Sequence, residues 1–324
     1  MYKWILISAS LLPMLFIGCT EHSLGGDSLP KEDVLINFSA GYVNYDIDVV
    51  SADNKELAPK ETRATTEPVK MGIIGVAATE NDVYADCLLG LTGESFCNNM
   101  FNAEYKGVLP GAIRSVDGLP RSFPLEEKSA VAVYAYSPYK EDVPVLGDTS
   151  CYIKLDLIEE HMLKDYAYTG KVFQKKEGFG KDDKINLQFY HAFAKVDVDF
   201  KVVYPKEASS IDLVIDTLQM GIGENGVGLF DLKNGYFYPE ESEDTVFAYD
   251  LMEVRNGVNS SALNVNSTMY IPPTITLNSV KIVFRRKYRE ETMTRIITFD
   301  AKRYERGKKY SISITLNVPK ELYL

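Results

Sequence analysis

Tyr310-Ser311-Ile312-Ser313-Ile314-Thr315-Leu316-Asn317-Val318 carries an apolar or aromatic side chain at every second position without exception. A period of two is that of a β-strand with one face on a core and the other in water. The same period recurs at Ala194, Val196, Val198 and Phe200, within the longer stretch Ile185 to Phe200. Working outward, further strands are expected at Asp212 to Met220, Val227 to Leu232, Met269 to Ile271, Ser279 to Arg285 and Met293 to Asp300. Met71 to Ala77 and Ala130 to Tyr136 are unbroken apolar runs, suited to strands buried on both faces. Turn residues punctuate them at Gly90, Gly93, Gly107, Pro110-Gly111, Asp117-Gly118, Pro138 and Gly147-Asp148. Short strands at this spacing indicate β-sandwiches. Ile158 to Lys164 is the one short helix expected.

The chain has 324 residues, enough for two domains with a sizeable core each. A glycine- and lysine-rich loop ending near Lys184 divides them, giving an all-β reading with domains at 64–184 and 185–324. Twenty-one tyrosines and fifteen phenylalanines fit a β-leaning composition. The net charge of -11 argues against nucleic acid or an anionic membrane surface as a charge-driven partner.

The amino terminus reads as an export signal. Lys3 precedes an apolar run from Trp4 to Ile17, and Gly18 stands directly before Cys19. The run is too short, and too interrupted by Ser8, Ser10 and Pro13, to span a bilayer, which takes about 20 apolar residues. The layout resembles a bacterial lipobox, so residues 1–18 are read as a lipoprotein signal peptide and Cys19 as the lipidated residue. Polar chain follows, and then Val34, Ile36 and Phe38 share one face of a strand pattern, with a second candidate strand from Tyr45 to Val50. The segment from Ala58 to Pro68 is rich in proline, charge and threonine, and should be extended and open to a protease. Arg63, followed by Ala64, is the only arginine between Cys19 and Arg114.

No motif points to catalysis. Gly221-Ile222-Gly223-Glu224-Asn225-Gly226 matches the spacing of dinucleotide loops, but such a loop must open a helix whose amides meet the pyrophosphate. Val227 to Leu232 is strand-like instead, and Asn225-Gly226 signals a hairpin turn. His22 lies in the tether; His161 and His191 read as half-buried structural histidines, with no nucleophile elbow to serve. The cysteines lack CxxC or zinc spacing, and Cys87 with Cys97 is a permitted but undemanded disulfide. Glu240 to Asp244 is read as a solvated acidic turn rather than a calcium loop, and Arg285 to Arg289 as a solvated hairpin tip. No cofactor, metal or catalytic residue is assigned.

Taken together, Cys19, the strand at 34–40, Thr62-Arg63-Ala64, Asp165-Tyr166-Ala167, Leu187 to Val198, Met269-Tyr270-Ile271-Pro272-Pro273 and Arg306 to Ile312 resemble the fimbrillin family, lipoprotein-exported subunits of type V pili. The resemblance implies two tandem sandwich domains of transthyretin-like, Greek-key type, with 19–63 a lipidated tether and removable first strand. It implies lipid on Cys19 in the outer membrane, a cut after Arg63 by an arginine-specific protease, and location in a surface fimbrium afterwards. It also implies pilus subunits as partners, joined by strand exchange, with a host or bacterial surface ligand as a further partner. Tyr310, Ile312, Ile314, Leu316 and Val318 form the candidate donor or final strand, because little chain follows them. If they are not the donor, the subunit accepts a strand without giving one, which suits a tip or minor position. An anchor would be expected to keep its lipid segment, and Arg63 argues against that. The alternative is a surface lipoprotein that never polymerises and binds glycan, with Tyr134, Tyr136, Tyr236 and Tyr238 as candidate sugar contacts.

Overall fold

The computed structural model describes residues 34–44, 46–47, 65–79, 100–124, 129–147, 150–160, 162–203, 213–241, 246–250, 258–259, 264–286 and 289–317. Cys19, His22, Arg63, Ala64, Cys87, Cys97, His161 and Val318 lie outside them. Asp33–Leu324 form one compact unit. Its first strands are β1 (Phe38–Tyr42), β2 (Asp46–Ile47), β3 (Val69–Thr79), β4 (Ala103–Gly107), β5 (Gly111–Ser115) and β6 (Ser129–Ser137). Next come β7 (Val145–Leu146), β8 (Cys151–Asp156), β9 (Ala167–Lys175), β10 (Ile185–His191), β11 (Ala194–Val203), β12 (Leu213–Ile222) and β13 (Val227–Asp231). The rest are β14 (Phe237–Pro239), β15 (Val246–Asp250), β16 (Val258–Asn259), β17 (Asn264–Ile271), β18 (Leu277–Arg286), β19 (Thr292–Lys302) and β20 (Lys308–Asn317).

The architecture is all-β, as the alternation requires. Seven strands close edge to edge in the order β1-β10-β9-β6-β3-β4-β5, so the first sandwich is a barrel whose two layers are joined. The others form three sheets, ordered β17-β11-β20-β2, β15-β12-β18-β19 with β16 beside β12, and β14-β13-β8-β7. The apolar runs in β3 and β6 have a specific cause. Met71, Ile73, Val131, Val133 and Ala135 face the barrel core, whereas Ile74, Val76, Tyr134 and Tyr136 face a second, larger core. These strands are a wall between two cores, so neither face keeps polar residues. Tyr136 lies across Gly72, where a Cβ would come within 2.1 Å of its ring.

Several expectations need correction. The segment 158–164 is not a helix; residues 158–160 and 162 form turns, and 163–164 carry no regular structure. The Asp156 carboxylate accepts hydrogen bonds from the Ile158 and Glu159 amides as a cap would, but Met162 adopts φ of 50°, which ends the turn before a helix can continue. Asn225-Gly226 makes no hairpin, because β12 and β13 belong to different sheets. The turn chemistry itself is present, since Asn225 Oδ1 accepts from the Val227 amide, and Val227 opens a strand. Ile185 to Phe200 is not one element: β10 completes the barrel, and β11 begins the next sheet after Ala192-Phe193. Of the second candidate strand, Tyr45 to Val50, the described residues are Asp46–Ile47, and they form β2. Arg285 does stand at a hairpin, β18 to β19, with its Nε 3.2 Å from Asp216 Oδ1.

Candidate functional site

β1 occupies a seat between two strands far away in sequence. It pairs in parallel with β10, from Phe38 opposite Ile185 to Tyr42 opposite Phe189. Its other edge pairs antiparallel with β5, from Phe38 opposite Ile113 to Ala40 opposite Gly111. Without it the barrel would have a gap. Upstream, Leu35 bridges Ser122, the Ile36 amide donates to the Arg121 carbonyl at 2.7 Å, and the Phe123 amide donates to the Val34 carbonyl at 3.1 Å. The Ile185 amide donates to the Asn37 carbonyl at 2.8 Å.

Side chains alternate along this segment. Ile36, Phe38 and Ala40 are buried and Val34 packs beside them, whereas Leu35 is 45% exposed. Phe38, 2% exposed, meets Tyr105 edge-on with centroids 5.4 Å apart. Tyr42 continues the period. Its ring stacks on His191 at 5.6 Å and 7°, and its hydroxyl donates to Ser137 Oγ at 2.9 Å. Burial, opposed in part by that hydrogen bond, raises the Tyr42 pKa. His191 is half-buried, with Nδ1 2.9 Å from Asp165 Oδ2. Past Asn44 the same stretch reaches a second sheet, where Asp46 and Ile47 pair in parallel with Lys308 and Lys309 of β20.

Beneath the entry to the seat lies a buried cation. Arg121 is 3% exposed and donates from Nη2 to Asp117 Oδ2 at 2.6 Å and from Nη1 to the Leu119 carbonyl at 3.1 Å. The hydrogen bond from Ser115 Oγ, together with those from Arg121 and the Leu119 amide, holds the Asp117 carboxyl down at about 2. In the sequence Asp117 reads only as a turn residue and Arg121 carries no signal, because a polar loop around Asp117-Gly118 gives no sign of a buried arginine. Tyr42 was also missed, although the spacing 34, 36, 38, 40, 42 signals it.

Chain after the expected cut is fastened. The Thr65 amide donates to the Leu109 carbonyl at 2.7 Å, and the Leu109 amide returns a bond to Thr65 Oγ1 at 2.9 Å. At the other end, β20 pairs in parallel with β11 from Lys309 opposite Lys195 to Asn317 opposite Val203. Ile314 is buried and Tyr310 and Ile312 are half-buried, so this strand is built into its own sheet. Among the described residues only Asp46–Ile47 pairs with its other edge. Of the four candidate sugar contacts, Tyr134 and Tyr136 are wholly buried in the larger core and line no surface. Tyr236 and Tyr238 are exposed.

Among the described residues no group of three or more His, Cys, Asp or Glu side chains could hold a metal ion. What the fold offers is a main-chain and apolar seat for a strand, the equipment of a β-structural protein. A model of the family described as Fimbrillin-like matches residues 62–323, and the chain belongs to that family. It is therefore a pilus- or adhesion-related protein, of a structural rather than a catalytic kind. No curated protein matches it. Among solved structures, a candidate cell adhesion protein from Bacteroides uniformis is similar at 16% identity, covering 88% of this chain and 95% of that one, with a TM-score of 0.46. One from Bacteroides eggerthii has 13% identity, 90% and 89% coverage and a TM-score of 0.41. The fimbrial anchor protein Mfa2 from Porphyromonas gingivalis has 11% identity, 76% and 77% coverage and a TM-score of 0.30.

Proposed function

We propose that the chain is the precursor of a pilus subunit, exported as an outer-membrane lipoprotein through Cys19 and cut after Arg63. Strand exchange with a neighbouring subunit then completes its barrel in the fimbrium. The observation that carries this reading is the seat of Val34 to Tyr42, paired on both edges with its apolar face inward. Withdrawal of the segment strands amides such as those of Ile185 and Phe123, and opens the core over Tyr105. Burial of Ile36 and of Phe38 is worth about 1.5–3 kcal/mol each, so an emptied seat strongly favours a new occupant. A neighbour's strand supplies main-chain hydrogen bonds for affinity and alternate side chains for specificity.

Two further features support the scheme. Thr65, pinned to Leu109, would keep the new amino terminus in place after a cut at Arg63. The same cut would free the β20 edge that Asp46–Ile47 covers, so one incoming segment running beside β10 and onward beside β20 would replace both contacts. Integration of β20 into its sheet favours a subunit that accepts a strand without donating this one, as at a tip or minor position. A division into two domains, on the same reading, falls after β10 rather than before it, because that strand completes the barrel.

The test is to treat the purified precursor with an arginine-specific protease, beside Arg63→Ala. Cleavage at Arg63 is expected only with Arg63 present, and the cut chain, once freed of residues 19–63, should take up a synthetic peptide of residues 34–47 in trans. A cut chain that takes up neither this peptide nor a strand from a second copy refutes strand exchange.

A further inference from the structure

A cleft of about 340 Å³ opens beside the seat, lined by Val43, Asn44, Tyr168, Tyr190, His191 and Arg306. Its size lies at the small end of the range for small-molecule sites, about 300–1,000 Å³. Arg306 is held in a fixed pose. Its Nη1 donates to the Tyr168 hydroxyl at 2.9 Å and to the Asn234 carbonyl, while its guanidinium carbon sits 5.9 Å from the Tyr168 ring and 5.2 Å from the Tyr236 ring. Such cation–π contacts stiffen the group without neutralising it. Among the described residues no carboxylate pairs with Arg306, and its Nε and Nη2 donate to no protein acceptor. The nearby Asp165 carboxylate is turned to His191 Nδ1.

The aromatic wall is also built. Gly235 adopts φ of +72°, and any Cβ there would lie 2.2 Å from Tyr168, so the chain leaves room for that ring to lie flat on the backbone. Tyr190 continues the wall at 6.3 Å and 49° to Tyr168, and remains 43% exposed. An open ring face suits the C–H face of a sugar, and a fixed guanidinium with two idle donors suits a carboxylate. The net charge of -11 opposes anions, but beyond about 8 Å that repulsion is screened at physiological salt, leaving Arg306 to act locally.

We infer that this cleft binds an acidic monosaccharide unit, a hexuronate or a sialic acid, with Arg306 on its carboxylate and Tyr190 under its ring. This goes beyond the strand-exchange reading and does not rest on it: a cut after Arg63 takes Val43 and Asn44 from the lining but leaves Arg306, Tyr168 and Tyr190, which make the proposed contacts, and the test uses the uncut full chain. The chain is titrated with D-glucuronate, N-acetylneuraminate, D-glucose and succinate by calorimetry and by saturation-transfer NMR. At least one acidic sugar should saturate, and which of the two does so names the source. Glucose, lacking the carboxylate, and succinate, lacking the ring, should each bind about tenfold or more weakly. Arg306→Lys keeps the charge but loses the fork, and should weaken acidic-sugar binding about tenfold; Tyr190→Ala should weaken all three ring-bearing ligands. Both side chains are exposed, so melting temperatures should stay close to the parent's. Equal binding of succinate makes the cleft a plain anion site. Equal binding of glucose, an unaltered Arg306→Lys variant, or saturation by neither acidic sugar overturns the inference.

Discussion

Phe38→Ala in the uncut chain isolates the energy of the seat. The ring is almost wholly buried in the barrel core and meets Tyr105 edge-on at 5.4 Å. Loss of its burial costs about 1.5–3 kcal/mol, and loss of the edge contact about 0.5–1.5 kcal/mol. A cavity bounded by β5 and β10 cannot close, because both strands are held by their own neighbours β4 and β9, so the whole cost should approach about 3–5 kcal/mol. Urea titration followed by circular dichroism gives the global loss, and amide exchange gives its location. Exchange at Ile36, Phe123 and Ile185, whose hydrogen bonds join this segment to its surroundings, should accelerate by a factor of about 100 or more. Asn37→Ala is the control, since its side chain is exposed and its carbonyl keeps the bond from Ile185; it should stay within about 0.5 kcal/mol. A Phe38→Ala cost below about 1 kcal/mol, with those three amides unchanged, would refute the claim that this side chain secures the segment.

Asp117→Asn leaves Arg121 buried without its anion and should cost about 1.5–3 kcal/mol in urea titration. Because the Asp117 carboxyl is held below the usual carboxylate range, its contribution is full above about pH 4 and declines as pH falls toward about 2. The parent should therefore lose stability over that window, and the Asn variant should lose less. Gly72→Ala would drive a methyl into the Tyr136 ring and should cost about 1–3 kcal/mol, measurable as a lowered thermal midpoint. Cys151 is buried, and burial pushes its thiol up to about 12; iodoacetamide at pH 8 should leave it unlabelled until urea unfolds the chain, as peptide mass mapping would record.

How legible the protein was depended on which physical signal each element carries. Strand content was readable because a one-sided β-strand must alternate, and β11, β18 and β20 keep that period. Failure came where two signals compete. Residues 158–164 hold a helical composition and Asp156 caps the first amides, yet Met162, at φ of 50°, leaves the helical region after a single turn. The seat was half legible: Val34, Ile36 and Phe38 announce an apolar face, whereas the buried Arg121 does not, because a local sequence cannot show which distant backbone will cover it.

By itself the sequence determined the all-β class, the inward face of the first strand and the lack of any recognisable catalytic motif, since periodicity and residue chemistry are local properties. Only the tertiary structure decided that β1 lies between β10 and β5, that β3 and β6 divide two cores, and that Tyr168, Tyr190 and Arg306 meet in one cleft. Each of those depends on which strand edges pair across long separations. Hydrogen bonding between backbones is nearly blind to residue identity, so the choice of partner is made by the burial of the whole chain rather than by any one stretch.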